Sequence, residues 1–381
     1  MQTQTNNNAL PTELFFQIFH HIAVADGPLG LRGALFVCRL WNTIILHDNY
    51  LWTNLVLNQM FIDHLVSDSA KLLNYMERCG VLSGDHFIRM SVNIAALQDH
   101  IHPSGTLTQQ QDQQRLSSAS FLLLTIARAM ARAGTFRGRI RTLAFSGGHA
   151  SSSALRMITS LMIDLVKDHL QHLELHRCRD SAVGSIVGLP RSLDTVFLFE
   201  PNWELHSYAS SGLIPAKQLT FERMASWRGE DVTHISMYQS LTELCLISSP
   251  IGICEPGFIL SDVASLSSSH TRHSVLLPHV TTLSITGPIP LCVLDPLNLP
   301  ALTTIEVRNH NSQHPLSTVY PTTLHHTITR LVVLFTPAVA DEWCGALATL
   351  LPEASQLRTL VAPHWMEQHL SVSESVGIEL I

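Results

Sequence analysis

Charge is scarce in this chain. Only 14% of its 381 residues are Asp, Glu, Lys or Arg, while 46% are hydrophobic and the mean hydropathy is +0.19. That balance excludes disorder over most of the length and implies either surfaces that a partner covers or a long continuous core. Basic runs are missing too: the densest cluster is Arg128, Arg132, Arg137, Arg139 and Arg141, and the net charge is −7. A nucleic-acid partner, which calls for a basic stripe, is therefore not expected. The seven cysteines, at 38, 79, 178, 245, 254, 292 and 344, are odd in number and contain no C-x-x-C pair. Neither a disulfide framework nor a zinc ribbon is written here, and a reducing compartment, cytoplasmic, nuclear or both, fits best. The first residues, MQTQTNNNAL, lack the basic start and apolar centre of a signal peptide. The longest apolar stretch, 121–127, falls well short of the roughly 20 residues of a membrane span. A soluble intracellular protein with no membrane partner is expected.

What is present begins with a helix signal. Pro11 and Glu13 in Leu10-Pro11-Thr12-Glu13-Leu14 suit the first turn of a helix, where a missing N–H is harmless and a carboxylate meets the positive dipole end. Leu14, Ile18 and Ile22 recur at helical spacing, and Phe15 with Phe19 widens the stripe. Asp26-Gly27-Pro28 and Gly30 break it. A second helix is predicted over 31–46 with two apolar faces, one carrying Leu31, Ala34, Leu35, Cys38, Trp41 and Ile45, the other Phe36, Val37, Leu40 and Ile44. Two short helices cannot hide so much apolar surface against each other, so something else must cover the second face. Further on, a helix is predicted over 64–78 and a half-buried strand over 85–93.

The segment 103–118, PSGTLTQQQDQQRLSS, is polar and Gln-rich and reads as a linker or loop. Beyond it, after a predicted helix over 119–132, a Leu-x-x-Leu-x-Leu pattern recurs with central residues Leu143, Leu173, Val196, Leu219, Leu244, Leu283, Ile305, Leu331 and Leu360. Most steps have the length of one leucine-rich repeat. The long step between Leu244 and Leu283 holds the Ser-rich 265–274 and reads as an insertion. Intervening stretches such as 153–167 and 339–351 show helical periodicity. The expected organisation is a polar lead at 1–9, a helical module at 10–60, connecting helices and a first repeat strand at 61–102, the Gln-rich segment at 103–118, and a repeat array at 119–381. Position 178, the cysteine of the best unit, is answered by Pro201, Ser249, Pro288, His310 and Thr336 in later units. The buried polar ladder of a regular array is therefore not expected.

The run from Leu10 to Trp52 resembles the F-box: L-P-x-E-L at 10–14, then Ile18 and Phe19, then Val37-Cys38-Arg39-Leu40-Trp41, and a closing Leu51-Trp52. The chain as a whole is similar to the large fungal families in which an F-box precedes degenerate leucine-rich repeats. The resemblance implies an α/β fold, with a three-helix F-box followed by a leucine-rich-repeat-like strand/helix solenoid that carries a parallel sheet. It also implies a non-catalytic substrate receptor, docked through a Skp-type adaptor onto a cullin-RING ubiquitin ligase. The adaptor-binding residues implied are Leu10, Pro11, Glu13, Leu14, Ile18, Phe19, Leu35, Val37, Cys38, Trp41, Leu51 and Trp52. Substrate protein would be captured on the strand face. There, residues flanked by inward leucines, His172, Glu174, Thr195, Glu243, Ser284 and Glu306, are expected to form one row.

Chemistry is otherwise thin. His169, His172, His176 and Cys178 have ligand-like spacing, but His172 and His176 alternate with inward leucines on a predicted strand, so no metal site is expected. Gly147-Gly148-His149 lacks the rest of a hydrolase turn, and neither a phosphate loop nor H-E-x-x-H occurs. No catalytic residue and no cofactor is expected. The alternatives are a scaffold that binds the adaptor without directing degradation and, less well supported, an enzyme on an α/β fold.

Overall fold

The computed structural model describes residues 11–66, 68–93, 96, 125–126, 129–130, 136–147, 162–176, 191–199, 214–222, 235–247, 275–287, 297–309, 327–335, 356–369 and 376–380. The chain divides into two compact units, Met1–Ser192 and Leu193–Ile381. That boundary does not coincide with the Gln-rich segment at which the sequence suggested a break. The Gln-rich 103–118 itself, most of the helix expected at 119–132, the insertion expected at 265–274 and the helical stretch expected at 339–351 lie outside the described residues.

In the first unit, α1 spans Thr12–Gly30. Pro11 stands just outside it at φ −54°, ψ 143°, and its carbonyl accepts the Leu14 N–H at 3.0 Å. The stripe that turns inward is Phe15, Phe19 and Ala23, the larger side chains winning the core over Leu14 and Ile18, which stay exposed. The break at Gly27 is as expected: φ is +68°, a conformation few L-residues adopt. A β-carbon there would stand 3.1 Å from both Asn54 O and Val56 N. Asn54 Nδ2 donates to the carbonyls of Ala23 and Val24 at 2.9 and 3.0 Å, satisfying groups the broken helix leaves open.

The single helix predicted over 31–46 is instead two pieces, a 3₁₀ turn at Ala34–Phe36 and α2 at Arg39–His47. Cys38 between them is extended, at φ −158°, ψ 168°. The reason lies in the two apolar faces, which one straight helix cannot both bury. The extended residue reorients the chain so that Trp41 meets Phe15 and Phe19, with ring centroids 5.5 and 5.4 Å apart. Ile44 and Ile45 are buried and Trp41 is half-buried, while Phe36, Val37 and Leu40 remain outside. Asn42 Nδ2 holds the bend by donating to Leu35 O at 3.0 Å. After α2 comes a 3₁₀ turn at Asn49–Trp52, fixed by Trp52 Nε1 donating to Ile45 O at 2.8 Å.

The apolar stretch after Trp52 is a strand, β1 (Asn54–Leu57), followed by a turn, α3 (Gln59–Phe61), and a π-turn at Ile62–Val66. Where the sequence suggested one helix over 64–78, α4 runs Ser69–Leu82. Asp68 sets its start by accepting the N–H groups of Ala70 and Lys71 at 3.0 and 3.2 Å. Its far end is closed by Arg139, whose guanidinium donates to Gly80 O and to Ser83 Oγ, both at 2.8 Å. Strands β2 (Ile88–Asn93), β3 (Ile140–Ser146) and β4 (His172–His176) extend a parallel ladder in the order β1-β2-β3-β4. Leu55, Met90, Leu143 and Leu173 share one register position, and all four are buried. Of the helix predicted at 153–167, residues 162–166 are described and helical.

The second unit holds β5 (Thr195–Phe199), β6 (Gln218–Glu222), β7 (Glu243–Ile247), β8 (Val275–Leu276), β9 (Thr282–Thr286), β10 (Leu297–Asn298), β11 (Thr304–Asn309), β12 (Arg330–Phe335), β13 (Thr359–Ala362) and β14 (Gly377–Leu380). All but β8 and β10 form one parallel ladder in chain order. β8 and β10 pair separately. Along one register row stand Val196, Leu219, Leu244, Leu283, Ile305, Leu331 and Leu360, every one buried. These are the central residues of the sequence pattern, and burial of each against its neighbours is what a parallel sheet with a covered face requires.

A polar ladder exists after all, at the other end of the strands. Thr242, Thr281, Thr303 and Thr329 each stand two residues before a central apolar residue. Their hydroxyls donate to the carbonyls of Lys217, Thr242, Thr281 and Thr303 at 3.1, 3.3, 3.2 and 3.3 Å. The backbone N–H of each threonine and of the residue after it converges on the same oxygen, at 2.8 to 3.1 Å. Threonine suits the place because its β-branch favours extended backbone while its hydroxyl adds one more donor.

Candidate functional site

The module formed by α1, α2 and the two 3₁₀ turns has a closed interior and an open apolar exterior. Inside, Phe15, Phe19, Leu51 and Trp52 are at most 3% exposed. Outside, Leu14 is 40% exposed, Ile18 46%, Phe36 83%, Val37 54% and Leu40 43%. Large apolar side chains concentrated in this way on one small module mark a place where another molecule completes the core.

The structure sorts the candidate adaptor-binding residues into three groups. Pro11, Glu13, Leu14, Ile18, Val37 and Cys38 are exposed, and Leu35 and Trp41 are half-buried. Phe19, Leu51 and Trp52 lie in the module's own core, where they hold the contact surface in shape and have little area left to offer. Leu10 lies outside the described residues. Of the second face predicted on the 31–46 segment, Phe36, Val37 and Leu40 are outside, but Ile44 has turned inward to 7% exposure. Phe16, 38% exposed on α1, was not singled out; its signal was its position on α1 beside the buried Phe15. Behind this surface two acidic side chains of the module are engaged: His20 Nε2 is 3.0 Å from Asp48 Oδ2, and Asn58 Nδ2 donates to Asp26 Oδ1 at 3.2 Å. In α4, burial pushes the Cys79 thiol up to about 12, which leaves it protonated and unreactive at neutral pH.

Residues 8–58 match the family model for F-box-like domains. This stretch is an F-box-like domain. Its matched residues enclose the whole exposed apolar surface from Leu14 to Leu40, and such a domain implies docking on a Skp-type adaptor of a cullin-RING complex. No curated protein matches the chain.

The second candidate surface is the outward face of the ladders. In the second unit Thr195 and Glu243 share a register row with Gln218, and the three are joined: Thr195 Oγ1 donates to Gln218 Oε1 at 3.2 Å and Gln218 Nε2 to Glu243 Oε2 at 2.8 Å. Ser284 and Glu306 lie in the next row, beside Cys245 and Thr220. The single row expected of these residues is therefore two. Thr195 and Glu243 precede the central apolar residue of their strand and Ser284 and Glu306 follow it, so they share a face but lie about 7 Å apart along it. His172 and Glu174 in the first unit flank Leu173 in the same two ways.

Glu174 is the best-anchored group on that face. Arg89 NH2 donates to its Oε2 at 2.6 Å and His176 Nε2 lies 3.1 Å from the same oxygen. Burial alone would raise its carboxyl, but the His176 hydrogen bond and the neighbouring charges of Arg89, His176 and His172 hold it below the usual glutamate range. Among the described residues, no group of three or more His, Cys, Asp or Glu is placed to hold a metal, and no helix is long and apolar enough to cross a membrane. Cys178 and the Gly148-His149 pair lie outside the described residues.

Proposed function

We propose that the chain is a substrate-receptor subunit of a cullin-RING ubiquitin ligase. Its F-box-like domain binds a Skp-type adaptor, and the outward strand face captures the protein to be ubiquitinated. The observation that carries this reading is the exposed group Leu14, Ile18, Phe36, Val37 and Leu40 on a domain whose interior is already filled. The ladder supports the second half: parallel strands repeating one inward row and one polar outward face are compatible with a leucine-rich-repeat-like solenoid, a frame for binding proteins. The protein is not an enzyme on this reading, and the fungal F-box families with degenerate repeats are where such a chain belongs.

The test is co-purification of the full chain from cells with and without proteasome inhibition. Recovery of adaptor and cullin, together with proteins that accumulate under inhibition, is the expected outcome. Recovery of adaptor without cullin favours a scaffold, and failure to recover the adaptor from folded protein overturns the proposal.

A further inference from the structure

Between Gly27 and His47 the sequence holds two arginines, Arg32 and Arg39, and no carboxylate. Both arginines are exposed, and among the described residues neither takes part in an ion pair. They bracket Phe36 and Val37 along the chain, and Arg39 adjoins Leu40. These are three of the exposed apolar residues of the F-box-like domain. The domain's own acids do not answer them. Asp48 is taken by His20 at 3.0 Å and by the Tyr50 N–H at 3.1 Å. Asp26 accepts from Asn58, and Glu13 sits in the first turn of α1, where the helix dipole favours it.

Whatever covers Phe36, Val37 and Leu40 also desolvates the neighbourhood of two guanidinium groups. Burying those groups unpaired is costly, whereas a carboxylate can receive each in a bidentate pair. The chain as a whole is acidic, with a net charge of −7, whereas this stretch carries two positive charges and no negative one, so an acidic partner surface is locally matched here. We propose that the partner surface docking on this domain is itself acidic, an apolar groove flanked by carboxylates that pair with Arg32 and Arg39. Those pairs orient the approach and set the association rate. The inference rests on the adaptor reading above and specifies the chemistry of the adaptor's contact surface.

The experiment is rapid-mixing association of the full chain with purified Skp-type adaptor, at about 20 and about 500 mM salt, conditions that bracket weak and strong screening. The pair Arg32→Glu and Arg39→Glu should slow association about tenfold or more at low salt, with dissociation changed far less and the difference closing at high salt. The pair Arg32→Gln and Arg39→Gln should lie between and serves as the comparison should the charge-reversed protein not fold. Thermal melting should match the unsubstituted protein, since no intramolecular ion pair is removed. A complex that forms equally fast with the arginines reversed, or at a rate indifferent to salt, overturns the acidic surface and leaves the adaptor reading standing. No complex between the unsubstituted chain and the adaptor under any condition overturns both.

Discussion

Replacing Leu14 and Ile18 together by alanine separates docking from folding more cleanly than any change in the domain's interior. In the free chain 40% of Leu14 and 46% of Ile18 is accessible to water, and that share is what a partner has left to bury. Full burial of such a side chain stabilises by about 1.5 to 3 kcal/mol, so the two exposed shares together contribute about 1.3 to 2.6 kcal/mol to docking. At about 1.4 kcal/mol per factor of ten, Kd for the Skp-type adaptor should rise roughly tenfold to seventyfold. Phe15 and Phe19, at 2% and 1% exposure, are the contrast, since truncating either would cost about 3 to 5 kcal/mol of folding and little contact area. Titration calorimetry with the adaptor, paired with melting of the free chain, reads both quantities. A double variant that melts near the unsubstituted protein and binds within about twofold of it would refute the assignment of this face.

Two further outcomes follow from the geometry. Gly27→Ala should destabilise the F-box-like domain by about 1 to 3 kcal/mol, because the new β-carbon meets backbone at Asn54 and Val56 in a left-handed conformation; an unchanged urea midpoint would count against the break in α1. Glu174→Gln should flatten the acid limb of stability. The carboxyl is depressed in the folded chain, so its contribution is full above the unfolded value and is lost as pH falls through the folded one. The substituted protein should lose stability at neutral pH while its melting temperature changes less with acid than that of the unsubstituted chain.

The periodic parts of this molecule were legible in its sequence, and the bends were not. Every central residue from Leu143 to Leu360 that the pattern marked lies buried on a parallel strand, because strand burial depends on alternation, which the order of residues records directly. The exterior of the F-box-like domain was half legible: Phe36, Val37 and Leu40 were recognised as a face needing cover. Which of two apolar stripes on α1 turns inward is decided by Trp41 arriving from another helix, and no local spacing carries that. The extended Cys38 was not legible for the same reason, since the apolar spacing around it is compatible with one continuous helix and tertiary packing decides where that helix breaks. The Thr ladder was not legible because the polar position of a regular repeat follows the strand, whereas these hydroxyls stand before it.

That ladder joins neighbours separated by very different lengths of chain. From Thr242 to Thr281 the interval is 39 residues, from Thr281 to Thr303 it is 22, and from Thr303 to Thr329 it is 26, yet each rung closes at 3.2 or 3.3 Å. The bond that sets one strand beside the next is thus insulated from what happens between them. Insertions and deletions can accumulate in the connecting segments across generations while the outward face keeps its spacing. A chain built this way can lengthen, shorten and diversify its connecting segments without renegotiating the frame that presents them.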